Sequence, residues 1–153
     1  MKSIVLALLA LTLTTIAAPK PPLGIPADAK FYEGRWFKVY YEKVPWNRAK
    51  EKCAAAGGRL ACIPDPETWS FVKEMIAQAS VWLGATDESA PGVWKWLDGA
   101  PVAYGDWFTN QPDNARGVEH YLATYKAKWN DAPKDGGFLP NQFVSGYVCE
   151  WRR

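Results

Sequence analysis

The sequence predicts a single α+β domain in which two helices precede a series of short strands. Three observations support this prediction. Apolar residues recur at helical spacing in two segments between residues 46 and 79, and short β-rich segments separated by Gly, Pro, Asn and Asp follow them. The length of 153 residues and the aromatic content of 14% also suit one compact core.

The N-terminal segment, residues 1–18, has the pattern of a secretory signal peptide. Lys2 supplies a positive charge, residues 3–16 form a short, largely apolar run, and Ala17 and Ala18 are the small residues expected at the cleavage site. The apolar run is shorter than the ~20 residues that cross a bilayer. We therefore expect a secreted protein, extracellular or periplasmic, without a transmembrane segment.

A Pro-rich linker is expected over residues 19–30, followed by the folded domain over residues 31–153. Residues 35–41 alternate aromatic or apolar with charged side chains, which is typical of a half-buried strand. This strand opens the predicted domain.

The two helices have recognisable ends. The apolar face of the first comprises Trp46, Ala49, Cys53 and Ala56. Gly57 and Gly58 end this helix, because glycine readily adopts the positive φ of a C-terminal cap. Asp65 caps the second helix and Pro66 occupies its first position. The predicted buried stripe of the second helix comprises Trp69, Val72, Met75, Ile76 and Ala79.

The second half of the chain is predicted to contain strands and loops. The strands are expected at residues 81–85, 93–97, 120–125 and 147–151. The irregular segment at residues 99–117 is long for a compact domain, and loops of that length are usually functional.

Side chains that end in oxygen are concentrated between residues 111 and 131. They are Gln111, Asp113, Glu119, Asn130 and Asp131. Ca²⁺ takes six to eight oxygen ligands of these kinds. Transition metals prefer nitrogen or sulfur, and only His120 is near in sequence. Such residues also gather in loops because they favour turns, so residue types alone leave a site and a plain loop equally open.

The spacing of these residues resembles the sugar-binding calcium site of C-type lectins. The motifs that match the family there are Gln111-Pro112-Asp113, Glu119 and Trp129-Asn130-Asp131. Three framework motifs follow the family's order: Trp82-Leu83-Gly84, the run Gly92-Val93-Trp94-Lys95-Trp96-Leu97-Asp98-Gly99, and Gly146-Tyr147-Val148-Cys149-Glu150. The resemblance covers roughly residues 34–151.

The resemblance implies the C-type lectin fold, with two helices packed on small antiparallel sheets and a long calcium-binding loop. It implies one Ca²⁺ held by the five oxygen-bearing residues, and a cis peptide bond before Pro112. Gln111, Asp113, Glu119 and Asn130 would also bind two neighbouring sugar hydroxyls, since metal-bound amides keep their donors and carboxylates keep an acceptor.

The Gln-Pro-Asp order resembles the galactose-type lectins and implies galactose or N-acetylgalactosamine as the ligand. That group often has an aromatic residue directly after the motif, where this chain has Asn114. Trp107, Phe108 and Tyr121 are candidates to replace it, although aromatic residues are usually buried. An auxiliary calcium site is poorly matched: Asp87 is present with Glu88 or Asn114, but Pro91 and His120 stand where acids are expected.

The resemblance also implies a disulfide between Cys53 and Cys149. The family's second disulfide, beside the calcium loop, is absent, and Tyr121 stands at one of its positions. Cys62 lies in an apolar segment and is expected to be a small buried side chain rather than a nucleophile. His120, the only histidine, is expected to be an ordinary packed or surface residue.

Several function classes are disfavoured. A net charge of +2 without a Lys/Arg run gives no footprint for nucleic acid. A hydrolase needs a protonated acid, whereas carboxylates bound to calcium stay ionised, so we expect no enzyme. The alternative to a lectin is a domain of the same fold that binds a protein or other surface, with calcium structural or absent. Without a coiled-coil neck, an oligomer that gave avidity would need other contacts.

Overall fold

The computed structural model describes residues 19–139 and 142–152. The predicted signal peptide lies outside the described residues. The α+β class is confirmed, because two helices pack against a large sheet in the described part of the chain. The sheet strands and a separate two-stranded ribbon are β1 (Lys30–Tyr32), β2 (Arg35–Tyr40), β3 (Arg59–Leu60), β4 (Val81–Thr86), β5 (Lys95–Trp96), β6 (Glu119–Tyr125), β7 (Lys128–Pro133), β8 (Gly137–Leu139), β9 (Gln142–Phe143) and β10 (Gly146–Arg152).

The main sheet is mixed. Its strand order is β1-β2-β10-β4-β6-β7, with β3 paired to β10 and β5 paired to β4, while β8 and β9 form the ribbon. Strand β10 pairs antiparallel with β2 and β3 and parallel with β4. Apart from the β8–β9 ribbon, the described strands therefore form one mixed sheet where small antiparallel sheets were expected, because β10 inserts between β2 and β4.

The helices are α1 (Trp46–Ala55) and α2 (Pro66–Ile76). Gly57 follows α1 with φ of 75°, in keeping with its predicted role. The Asp65 carboxylate accepts a 2.6 Å hydrogen bond from the backbone N–H of Thr68, so the predicted cap is present. Because α2 ends at Ile76, Ala79 lies beyond it. No helix in residues 19–139 or 142–152 is long and apolar enough to cross a membrane.

Strand β7 was not predicted, although it carries part of the candidate site. Asn130 and Asp131 are rare in strands, and the sequence places them in a loop. In the structure they pair with Ala123 and Leu122 of β6. Strands β1, β3, β8 and β9 were also missed, and the strand expected at residues 93–97 is reduced to Lys95–Trp96.

Two aromatic clusters fill the core. One contains Trp36, Trp46, Trp82, Tyr147 and Trp151, together with Ile25 and Ala29 from the Pro-rich segment. The other surrounds Trp129, which is fully buried. Four rings contact Trp129 with centroid distances of 5.5–5.8 Å: Trp69, Trp96, Tyr104 and Trp107. The long loop packs against the second cluster, because Tyr104 and Trp107 both belong to the loop.

Two of the three cysteines form a disulfide and the third is free, as expected. Cys53 of α1 is joined to Cys149 of β10, with 5.4 Å between their Cα atoms and a sequence separation of 96 residues. Cys62 is free and buried. Burial raises the pKa of its thiol to about 12, so Cys62 has little thiolate character near neutral pH.

Candidate metal and ligand site

The long segment between β5 and β6 is fixed to the second aromatic cluster. The Phe108 N–H donates to the Trp129 carbonyl at 2.7 Å, and the Trp129 N–H donates to the Asp106 carbonyl at 2.8 Å. The Asp106 carboxylate accepts hydrogen bonds from Trp69 Nε1 at 2.8 Å and Lys128 Nζ at 2.6 Å. The start of the loop is thereby attached to both α2 and β7.

The Gln-Pro-Asp turn comes next. The peptide bond between Gln111 and Pro112 is cis, as the resemblance implies. The Gln111 N–H donates to the Phe108 carbonyl at 2.9 Å, and Gln111 Oε1 accepts from the Asp113 N–H at 3.2 Å. Asp113 Oδ1 in turn accepts from the Ala115 N–H at 3.2 Å. These short-range bonds orient both polar side chains of the motif.

Asp131 holds this turn against β7. Its side chain is buried, and its carboxylate accepts from the Asn114 N–H at 2.7 Å and the Asp113 N–H at 3.3 Å. The neighbouring Asn130 donates from its side-chain amide to the Asp131 carbonyl. Asp131 therefore positions the loop as well as contributing an oxygen to the site.

Asn114 has a structural role that the sequence did not reveal. Its φ is 45°, in the left-handed region that Asn adopts more readily than most residues. Its side-chain oxygen accepts a 3.0 Å hydrogen bond from the N–H of Glu119. The residue links the Gln-Pro-Asp turn to the start of β6, so an aromatic residue here would remove that link.

Three carboxylates meet at this point. One oxygen each from Asp113, Glu119 and Asp131 lies within 4.8 Å of the others, with Glu119 and Asp131 buried and Asp113 exposed. Burial raises the pKa of Glu119 from 4.5 to about 7, and the charges of Asp131 and Asp113 add to the rise. Burial also raises the pKa of Asp131, against the effect of its backbone hydrogen bonds. An all-oxygen group that is this close and buried fits a hard divalent cation.

A cavity of about 220 Å³ lies beside the carboxylates. Its lining residues are Phe108, Thr109, Gln111, Asp113, Ala115, Glu119, Tyr125 and Asn130. Four of the five residues proposed from sequence, Gln111, Asp113, Glu119 and Asn130, thus face one space. The fifth, Asp131, is buried and does not line the cavity.

The three aromatic candidates to accompany a sugar are placed differently. Tyr121 is in the core, 5.0 Å from the Trp46 ring, and Trp107 packs against Trp129. Phe108 lines the cavity, as does Tyr125, which the sequence did not indicate. Only the pairing of β6 with β7 brings Tyr125 to this position.

The region of the auxiliary calcium site is occupied by protein contacts. Asp87 is buried, with Oδ1 2.9 Å from His120 Nδ1 and Oδ2 accepting from the Gly92 N–H at 2.6 Å. Both carboxylate oxygens of Asp87 therefore have partners within the chain. His120 has a packing role here, as expected of a lone histidine.

A hydrogen-bonded cluster lies where the family's second disulfide is missing. The Tyr121 hydroxyl bonds to Glu88 and Lys134. Lys134 Nζ lies 3.1 Å from Glu88 Oε1, and the Lys134 carbonyl accepts from the Trp46 N–H at 2.9 Å. This cluster connects β6 and the end of β7 to α1 without a covalent bond.

Comparison with known proteins identifies the family. The sequence model of the Lectin C-type domain matches residues 42–150. The chain belongs to the C-type lectin domain family. Over 114 residues it is 31% identical to mouse C-type lectin domain family 4 member F, a match that covers 70% of this chain and 21% of that protein. It spans between 17% and 34% of the length of the curated relatives it matches.

Solved structures confirm the predicted C-type lectin fold. The mouse scavenger receptor C-type lectin carbohydrate-recognition domain superposes with a TM-score of 0.73 at 30% identity, covering 84% of this chain and 97% of that one. Herring type II antifreeze protein superposes with a TM-score of 0.71 at 28% identity, covering 84% and 99%. Because proteins named for such different ligands share the fold, the ligand must be argued from the site.

Proposed function

We propose that this C-type lectin domain binds carbohydrate through one calcium ion. The ligands proposed for the ion are Gln111, Asp113, Glu119, Asn130 and Asp131. The observation that carries the proposal is the meeting of three carboxylates within 4.8 Å beside a cavity that the two amides also line. Oxygen ligands from carboxylates and amides are those that Ca²⁺ prefers.

The electrostatics of the carboxylates support a cation. Glu119 and Asp131 are buried, and ionising them together in the protein alone is unfavourable because of desolvation and mutual repulsion. A bound Ca²⁺ supplies the opposing charge and accepts the oxygens of sugar hydroxyls. Asp131 is buried and does not line the cavity, so we assign it to the ion and to the loop turn alone.

The remaining four residues suit recognition of two neighbouring hydroxyls. Gln111 and Asn130 carry amide donors, while Asp113 and Glu119 carry carboxylate acceptors. One N–H of Asn130 is used by the Asp131 carbonyl, and its amide has a second. Each sugar hydroxyl, which both donates and accepts, can therefore meet one donor and one acceptor.

We further propose galactose or N-acetylgalactosamine as the preferred sugar and a location outside the cytoplasm. The order of the motif, with the amide of Gln111 before the carboxylate of Asp113, supports this preference because it resembles that of the galactose-type lectins. We propose binding rather than catalysis, since carboxylates that hold a cation stay ionised and cannot act as general acids. The relative named a carbohydrate-recognition domain supports this proposal.

A double exchange tests the proposal. Gln111→Glu with Asp113→Asn keeps the number of oxygens and the net charge but swaps the positions of donor and acceptor. Calcium affinity should stay within roughly tenfold, about 1.4 kcal/mol. On a glycan array in calcium, preference should move from galactose-type to mannose-type ligands.

The matched control exchanges the same residue types far from the cavity, Gln78→Glu with Asp135→Asn, and should keep the wild-type preference. Binding by all three proteins should disappear when a chelator is added. If calcium binds by calorimetry but none of the proteins binds any glycan, the domain has the alternative function, and binds a protein or other surface with calcium structural.

A further inference from the structure

Two aromatic rings form one side of the candidate sugar site. The rings of Phe108 and Tyr125 lie edge to face, with centroids 5.3 Å apart and an interplanar angle of 69°. Both are partly exposed, and both line the cavity that Gln111 and Glu119 also line. We call Phe108 and Tyr125 the aromatic wall. The cavity thus has an apolar side next to its polar groups.

The aromatic wall is fixed to the same backbone as the polar groups. The Phe108 N–H donates to Trp129 at 2.7 Å, and its carbonyl accepts from the Gln111 N–H at 2.9 Å. Tyr125 ends β6 and pairs with Lys128 at the start of β7, the strand that carries Asn130. The backbone segments that carry the rings and the polar side chains are therefore hydrogen-bonded to one another, which limits the backbone entropy lost when a ligand binds.

Burial separates the aromatic wall from the core aromatics nearby. Tyr121, on the same strand as Tyr125, retains only 3% exposure and packs on Trp46. Trp129, adjacent to Phe108 through the backbone, is fully buried. The two wall rings instead present part of their surface to the cavity, where an apolar ligand group can cover it.

We propose that the aromatic wall is a second subsite, which binds the apolar face of the group linked to the sugar held by Gln111 and Asp113. This inference rests on the proposed function. Rings stack on the C–H faces of pyranoses and on other rings, so the group is either the next sugar residue or an aromatic aglycone. The polar groups recognise the terminal sugar, and the aromatic wall recognises the group that is linked to this sugar.

Three galactosides distinguish these sources. Affinities for methyl β-galactoside, phenyl β-galactoside and the disaccharide lactose are measured by calorimetry in calcium. Wild type should bind phenyl galactoside or lactose roughly fourfold to fifteenfold more tightly than methyl galactoside, the effect of covering one or two CH₂ equivalents. A gain for lactose assigns the wall to a second sugar, and a gain for the phenyl compound alone assigns it to an aglycone.

The side chains are tested by Phe108→Ala and Tyr125→Ala, in which the ratio of affinities over methyl galactoside should fall towards one. Phe108→Leu and Tyr125→Phe keep apolar surface and should retain most of the ratio. Tyr41→Ala removes an aromatic side chain that is 66% exposed elsewhere and should leave the ratio unchanged. Calcium titration of each variant checks that the site still folds.

Two failures are distinguishable. If wild type binds calcium but no galactoside and no other glycan, the proposed function fails and this inference with it. If wild type binds all three galactosides equally, or if Phe108→Ala and Tyr125→Ala keep the wild-type ratio, the sugar site stands and the second subsite is wrong.

Discussion

The region around β10 and the region around the long loop differ in whether their buried carboxylates are paired with cationic side chains. Glu150 of β10 is buried and accepts from Arg35 at 2.9 Å and from Arg59 at 2.7 Å. Glu119 and Asp131, beside the loop, are buried against each other and against Asp113. Among the described residues, no Lys, Arg or His forms an ion pair with either of them.

The difference supports the proposed location of the cation. Buried charges in proteins are paired or coordinate metals. The β10 region provides its own cations and is also closed by the Cys53–Cys149 disulfide. The loop region has neither around Glu119 and Asp131, and there it is held by backbone hydrogen bonds and by the cluster of Tyr121, Glu88 and Lys134. We interpret the first as a self-sufficient framework and the second as a site completed by an external cation.

Removing the disulfide should have the largest effect. The bond closes a loop of 96 residues, so Cys53→Ala with Cys149→Ala should lower the free energy of unfolding by up to about 4.7 kcal/mol. Denaturant unfolding with and without calcium measures this. Cys62→Ala is the control and should cost roughly 1 kcal/mol, as a small buried truncation. If the two variants lost equal free energy of unfolding, the disulfide would not be a main source of stability.

The chemical state of the cysteines gives an independent check of the same region. Alkylation of the unreduced protein followed by peptide mapping should recover Cys53 joined to Cys149, with Cys62 reduced and slow to react because its thiol is buried. Finding Cys62 in the native disulfide would overturn the assignment.

The framework was accessible from sequence because its signals are local. Asp65 and Gly57 act where their residue types predict, whereas the five oxygen-bearing residues indicated the site through their resemblance to the C-type lectin motif. Asn114 and Tyr125 could not be assigned, since one acts through a left-handed backbone and the other through the register of β6 with β7. Strand β7 could not be predicted because Asn130 and Asp131, which belong to the candidate site, have low strand propensity.

Acid should affect the loop region strongly. The pKa of Glu119 is raised from 4.5 to about 7. The protonated side chain therefore stabilises the metal-free fold, and this stabilisation is fully present below pH 4.5. The stabilisation is lost as the pH rises through about 7, because Glu119 then ionises in the folded protein. The contribution is on the order of 3 kcal/mol. Metal-free Glu119→Gln should lack this loss and be more stable than wild type at pH 8, as thermal unfolding in chelator would measure.

Calcium affinity should change with pH in the opposite direction to the stability of the metal-free fold. A proton on Glu119 competes with the ion, so affinity should fall by up to about tenfold per pH unit below pH 7. Calorimetric titration between pH 8 and pH 5 measures the fall, with Glu88→Gln as a control at an exposed carboxylate outside the cavity. Affinity that stays constant over this range would exclude Glu119 as a ligand.

The smallest effect is expected at the Tyr121 cluster. Tyr121→Phe removes the hydroxyl that bonds Glu88 and Lys134 and should cost about 1 kcal/mol. Hydrogen exchange should rise in β6 and around Lys134 but not in β10. Tyr41→Phe, at an exposed position, is the control. Exchange that rises equally in β10 would show that the two regions are not independently held.

Calcium-dependent retention on immobilised galactose tests the central claim most directly. The protein without residues 1–18 is applied at pH 7.5 in millimolar calcium, washed, and then treated with a chelator. We predict that it is retained in calcium and released by the chelator, and that Asp113→Ala passes through unretained. A wild-type protein that binds calcium by calorimetry yet flows through the column, and that binds no other glycan, would contradict the assignment of a sugar site to these carboxylates.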